Sequence, residues 1–169
     1  MVDFAKRNLF KGSTSPSPNK PTLPWLKDPD TFFEKCTRCS KCTEHCETHV
    51  IKHSSGGFPS IDFSEGECTF CYQCAEVCPE SLFINQDSSP WDNKANISDA
   101  CLADKNVECR SCADACEPMA IQFQLRIGQA AKPAIDSDKC NGCGACVAIC
   151  PTSAINVTVS DMDETEYGT

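Results

Sequence analysis

Apolar positions in this chain come in short bursts, and each burst follows a cluster of cysteines. The bursts are Val50-Ile51, Leu82-Phe83-Ile84, Ala120-Ile121-Gln122-Phe123 and Ala154-Ile155-Asn156-Val157. Runs this short predict short strands. Two matched segments, Pro59-Ser60-Ile61-Asp62-Phe63 and Pro133-Ala134-Ile135-Asp136-Ser137, lead into the second and fourth cysteine clusters. From Phe32 onward the chain therefore repeats one unit: short strand, cysteine loop, one or two helical turns, short strand. Residues 1–30 stand apart. Pro16, Pro18, Pro21, Pro24 and Pro29 prevent a continuous helix there, which predicts a mobile arm whose end Trp25 anchors on the body.

The cysteines turn this repeat into chemistry. Cys36, Cys39, Cys42 and Cys46 read C-x2-C-x2-C-x3-C. Cys68, Cys71, Cys74 and Cys78 repeat the spacing and add Pro79, and Cys140, Cys143, Cys146 and Cys150 repeat it and add Pro151. The remaining group, Cys101, Cys109, Cys112 and Cys116, stretches the first gap to seven residues before C-x2-C-x3-C. This is the bacterial ferredoxin spacing for iron–sulfur clusters. Two-residue gaps let a tight loop put three thiolates on three corners of a cubane and aim backbone N–H groups at it. The three-residue gap carries the fourth thiolate one helical turn further, toward the second cluster of a pair. A disulfide framework would not require four near-identical spacings, and zinc sites favour separated C-x2-C pairs. The spacing predicts [4Fe-4S] clusters, three from the regular runs and a fourth if the stretched run completes its set.

Run separations set the organisation. The gap from Cys46 to Cys68 is 22 and that from Cys116 to Cys140 is 24, whereas a polar stretch with Ser88, Ser89, Pro90 and Trp91 separates the second run from the third. The expected architecture is α+β: two tandem ferredoxin-like modules of the bacterial two-cluster type, mostly loops with short strands and helices. Their limits are read as 31–86 and 99–160, joined by a linker at 87–98 and followed by an acidic tail at 161–169. Crossed ligand sharing predicts four sets: Cys36, Cys39, Cys42 with Cys78; Cys68, Cys71, Cys74 with Cys46; Cys101, Cys109, Cys112 with Cys150; and Cys140, Cys143, Cys146 with Cys116. Run one lacks the terminal Pro and run three has Pro118 one residue late, which makes these two the candidates for a labile site.

Other residues in and near the loops add less. Asn141, Gly142, Gly144 and Ala145 read as clearance for a cluster. Phe70 and Tyr72 fit either shielding of a cluster from water or plain packing. His45, His49 and His53, four apart, would share a helical face, but the cysteines already satisfy the metal chemistry. No Gly-rich phosphate loop, partnered nucleophile, flavin or nicotinamide fingerprint is present in the sequence, so the chain reads as a non-enzyme.

Composition supports a metal-built fold. The 40% apolar fraction includes the 16 cysteines, a thin supply for an ordinary core, so the clusters should act as folding cofactors. Net charge is −9, but Lys6, Arg7, Lys11, Lys20 and Lys27 against Asp3 make the first 27 residues basic. The acidic remainder argues against nucleic-acid binding and suits a basic face on a protein partner, or simply solubility. No stretch reaches 18 apolar residues, and the start lacks the apolar region of an export signal, so a cytoplasmic location is expected. The amphipathic start (Phe4, Leu9, Phe10) reads as a docking or membrane-surface element or a frayed tail.

Several segments carry a family resemblance. They are the string from Cys68 to Phe83, Trp91, Asp99-Ala100-Cys101-Leu102-Ala103, Val107-Glu108-Cys109-Arg110-Ser111-Cys112, Cys116-Glu117-Pro118-Met119-Ala120-Ile121 and Cys140-Asn141-Gly142-Cys143-Gly144-Ala145-Cys146. Together they resemble the NapF family, ferredoxin-type proteins of bacterial periplasmic nitrate reductase systems within the wider polyferredoxins. The resemblance implies a cytoplasmic accessory protein that acts on the nitrate reductase catalytic subunit NapA before export, helping to load its iron–sulfur cluster. An electron-transfer ferredoxin serving a reductase is the alternative. Lys6-Arg7 stands where a twin arginine would be expected, so the resemblance leaves any export-machinery contact of the arm open.

Overall fold

The computed structural model describes residues 22–159. The basic stretch that holds Lys6-Arg7, the amphipathic start and the acidic tail at 161–169 lie outside them. Among the described residues, no helix is long and apolar enough to cross a membrane.

Each half of the chain is built the same way, from an inner hairpin, an outer strand pair and two cysteine loops. In the first half, strand β1 (Ile51–His53) pairs antiparallel with β2 (Pro59–Ile61). Its outer pair is reduced to a single antiparallel bridge, Leu26 to Phe83. In the second half, the inner hairpin is β4 (Ile121–Arg126) with β5 (Gln129–Ile135), and the outer pair is β3 (Asn93–Ile97) with β6 (Ile155–Val159). Pro59 and Pro133 sit in these strands without disrupting them. Each sheet has only two strands, so the missing N–H can face an open edge.

The outer pairs move the boundaries that the sequence predicts. Residues 93–97 are a strand of the second half, not part of a linker; the partner, 155–159, is supplied about 60 residues later. The arm also ends sooner than residue 30. Leu23, Pro24 and Trp25 are buried, and helix α1 (Pro29–Lys35) begins directly after its N-cap, Asp28. Asp28 caps that helix by accepting from the N–H groups of Asp30 and Thr31 at 3.0 and 3.3 Å, and Pro29 takes the first-turn position where a missing N–H does no harm. Phe32, on the inner side, is buried with Leu23 and Leu82.

Four helices of only four residues follow the cysteine loops: α2 (Lys41–Glu44), α3 (Gln73–Glu76), α4 (Ser111–Asp114) and α5 (Ala145–Ala148). A single turn is unstable by itself, because nucleation fixes several residues for one hydrogen bond. Each begins one residue before the third cysteine of its run, and three of those cysteines, Cys74, Cys112 and Cys146, are buried in the core.

Candidate metal centres

The loops are shaped by backbone conformation more than by composition. In run one, Arg38 and Ser40 flank Cys39 with φ of 55° and 66°; in run two, Phe70 and Tyr72 flank Cys71 with 55° and 67°. In run four, Gly142 and Gly144 flank Cys143 with 72° and 86°. A left-handed residue on each side of the second cysteine wraps the loop inward, and only run four uses glycine for it. Run three departs: Arg110 has φ −129°. Its extra residues instead form a 3-10 turn at Leu102–Lys105, closed by Asn106 at φ 59°.

Four cavities result, and the cysteines are sorted among them across the runs. Cavity one is lined by Cys36, Cys39, Cys42 and Cys78, and cavity two by Cys46, Cys68, Cys71 and Cys74. Cavity three is lined by Cys101, Cys109, Cys112 and Cys150, and cavity four by Cys116, Cys140, Cys143 and Cys146. These are the groupings that crossed sharing predicts. The empty volumes are about 380, 390, 360 and 330 Å3, so the stretched third run builds a cavity comparable with the regular ones.

The residues present fit a four-iron cluster. Each cavity offers four thiols and otherwise largely apolar walls. Four thiols around one cavity, with no His, Asp or Glu needed to complete the set, match the one-thiolate-per-iron requirement of a cubane. Sulfur also finds donors: the N–H groups of Ala120 and Ala154 reach Cys116 and Cys150 Sγ at 3.3 Å, and that of Ala95 reaches Cys140 Sγ at 3.5 Å. Such bonds stabilise negative charge on thiolate and cluster.

Burial works the other way on free thiols. It pushes Cys74 and Cys146 up to about 12 and Cys68 and Cys112 up to about 11, and it raises Cys42, Cys78 and Cys143 as well. Thiols held this high are poor nucleophiles; a cationic metal centre would displace their protons. Cys150 is the exception. Burial also raises it, but the N–H groups of Thr152, Ala154 and Ile155 and the Thr152 hydroxyl outweigh burial and lower it.

Sequence reasoning missed several wall residues. Leu23 lines cavity one, and Pro24 and Trp25 line cavity two, where the Trp25 ring stands edge-on to Tyr72 and Phe70 at 5.0 and 6.2 Å. Its indole N–H is shared between the carbonyls of Gln86 and Ser88. Phe70 and Tyr72 thus both line a cavity and pack. Ile97 and Ala95, from the strand read as linker, line cavities three and four. The tryptophan in a Pro-rich stretch was the available signal; Asn93–Ile97 gave none. The glycines of run four also answer to neighbours: a Cβ on Gly142 would lie 2.4 Å from the Asn93 carbonyl oxygen. His45, His49 and His53 share no helical face, since α2 ends at Glu44 and His53 lies in β1; all three are exposed.

Comparison with known proteins finds a family and several relatives. The 4Fe-4S dicluster domain family matches residues 35–82 and 107–154, spans that include every cysteine except Cys101. Ferredoxin-type protein NapF of Escherichia coli (strain K12) is 45% identical over 154 residues, covering 91% of this chain and 94% of that protein. Ferredoxin-type protein NapF of Haemophilus influenzae is 43% identical over 143 residues, covering 85% and 80%. Ferredoxin-type protein NapG of Escherichia coli (strain K12) is more distant, 27% identical over 162 residues, covering 82% of this chain and 70% of that protein.

Proposed function

The chain belongs to the ferredoxin-type NapF family, with two 4Fe-4S dicluster domains, and from that premise we propose that it is a cytoplasmic accessory protein that helps load the iron–sulfur cluster of NapA before export. In this reading the two halves are ferredoxin-like modules of the bacterial two-cluster type, and each four-thiol cavity holds one [4Fe-4S] cluster. Site one is then Cys36, Cys39, Cys42 and Cys78, and site two Cys68, Cys71, Cys74 and Cys46. Site three is Cys101, Cys109, Cys112 and Cys150, and site four Cys140, Cys143, Cys146 and Cys116.

The observation that carries the donor role is exposure. Cys39 and Cys71 are the exposed cysteines of the chain, and both belong to the first half. Cluster transfer proceeds by ligand exchange, so an acceptor's thiolate must reach an iron from outside. An exposed thiolate marks the corner where it can. Of the two runs that depart from the regular pattern, the first is therefore the better candidate for a labile site. When bound, the clusters supply iron, sulfide and single electrons; the chain's own residues hold them, bury the remaining thiols and donate N–H groups to sulfur.

The test is anaerobic incubation of labelled-iron holo-protein with purified apo-NapA, counting iron on both chains by mass. Iron moving faster than from a small-molecule cluster source, and slowed by Cys39→Ser, supports the donor. Iron staying in place while the clusters still reduce and reoxidise supports the second reading, an electron-transfer ferredoxin. A direct contact between cysteine loops of the two halves favours that alternative, because an electron carrier needs its centres close together.

A further inference from the structure

The two halves meet at specific sites. The Cys68 N–H donates to the Cys143 carbonyl oxygen at 2.8 Å, so one hydrogen bond joins the backbones of a site-two and a site-four cysteine. Beside it, Phe63 packs onto Gly144 so closely that a Cβ there would lie 2.2 Å from the ring. Trp91 closes the seam: its indole N–H donates to the Asn141 carbonyl at 2.8 Å, and its ring meets Phe63 and Phe70 edge-on at 6.3 and 5.6 Å. Within each half the two sites are already linked, since each run sends its last thiol to the other cavity.

We propose that the four centres follow the spatial order one, two, four, three, with the halves coupled through sites two and four and with sites one and three as the outer ends. This order rests on the ligand sets proposed above. It makes the chain a continuous path for one-electron exchange, each step oxidising one centre by one electron and reducing its neighbour by one, with no bond made or broken. Electronic coupling falls with distance and with each gap between bonded atoms. Between sites two and four the path needs only the two cysteines' own bonds and the single N–H···O contact. Run order along the sequence would instead join site two to site three, for which no cysteine-loop hydrogen bond exists among the described residues.

Two double variants of the full-length holo-protein test the order, each retaining roughly eight of sixteen irons if the ligand sets hold. Cys39→Ala with Cys109→Ala removes the outer sites and should leave one magnetically coupled pair in the EPR spectrum of the fully reduced protein. Cys71→Ala with Cys146→Ala removes the inner sites and should leave two uncoupled signals. No coupling in the first variant, or coupling in the second, overturns the order. Iron counts that do not fall by half in either variant would instead count against the ligand sets. For that case Phe63→Ala, with all cysteines intact, reads the junction alone: coupling across the halves should weaken at unchanged iron content, and unchanged coupling would overturn the proposal.

Discussion

Gly144 and Gly128 adopt left-handed φ of 86° and 70°, yet they answer to different surroundings. Around Gly128 a Cβ would meet nothing within 4 Å, whereas at Gly144 it would press into the Phe63 ring. Gly128→Ala should therefore cost only the backbone strain of an L-residue, about 1–2 kcal/mol. Gly144→Ala adds overpacking of about 1–3 kcal/mol on top of that strain. Thermal bleaching of the cluster absorbance, followed anaerobically for both variants, should place Gly144→Ala clearly below Gly128→Ala; equal midpoints would show that Phe63 simply moves aside. Trp25 offers a second residue-level test. Trp25→Ala removes the wall that packs on Tyr72 and Phe70 and should cost about 3–5 kcal/mol, whereas Trp25→Phe keeps a ring and loses chiefly the bonds to Gln86 and Ser88, about 1 kcal/mol. Oxygen exposure should then bleach site two first in Trp25→Ala, and a uniform loss from all four sites would contradict its placement in cavity two.

The longest strands, β4 and β5, have a task that the short strands of the first half lack. Their hairpin holds the stretched part of run three. Arg126 donates to the carbonyls of Ala103 at 2.7 Å and Ala130 at 2.9 Å, Lys132 pairs with Asp104 at 2.9 Å, and Asn106 accepts from the Ala130 N–H at 2.6 Å. These bonds fix the 3-10 turn between Cys101 and Cys109, taking the place of the left-handed residues that shape the other loops. Arg126→Ala should accordingly lose iron from site three alone, roughly a quarter of the total. Leu125→Ser with Ile127→Ser, at the hairpin's exposed tip, should change stability by no more than about 0.5 kcal/mol. Iron per chain and the thermal midpoint read both, and iron loss spread evenly over the sites in Arg126→Ala would remove the clamp's special role. The same elements show where the sequence was legible. The three thiols that a run places in one cavity are legible because two-residue gaps are local, whereas the fourth comes from another run and rests on the two-cluster pattern. Short apolar bursts after runs one, three and four likewise marked Ile51, Ile121 and Ile155 as strand residues, whereas the burst Leu82-Phe83-Ile84 after run two forms no strand, only a bridge at Phe83. The outer pairs could not be read, because Asn93–Ile97 is mostly polar and its partner lies about 60 residues away, and in the first half one Leu26–Phe83 bridge is all that remains. Nor does spacing reveal that Gly144 serves a phenylalanine from the other half.

Across the whole molecule the apolar core is wrapped around sulfur. Cys74, Cys112 and Cys146 belong to the buried cluster, and eight further cysteines and large side chains such as Phe33, Phe58 and Trp91 only partly cover it. Much of the rest of the interior is small: Ala95, Ala103, Ala120, Ala130, Ala131 and Ala154 are all buried. Alanines contribute little hydrophobic free energy each, and four one-turn helices contribute almost none of their own. What brings the loops together must then be the metal–thiolate bonds, strong enough to displace the protons that burial makes these thiols hold tightly. Removing iron and sulfide anaerobically with a chelator, thiols kept reduced, should therefore collapse the far-ultraviolet circular dichroism and the dispersed amide spectrum together, and reconstitution should restore both in step with cluster absorbance. Because the halves share the Phe63–Gly144 contact and the Trp91 seam, the structural signal should be lost in both halves when sites two and four empty, even while iron remains at the outer sites. An apo chain that unfolded cooperatively with heat would show that side-chain packing alone suffices, and the clusters would then be passengers in a fold that stands without them.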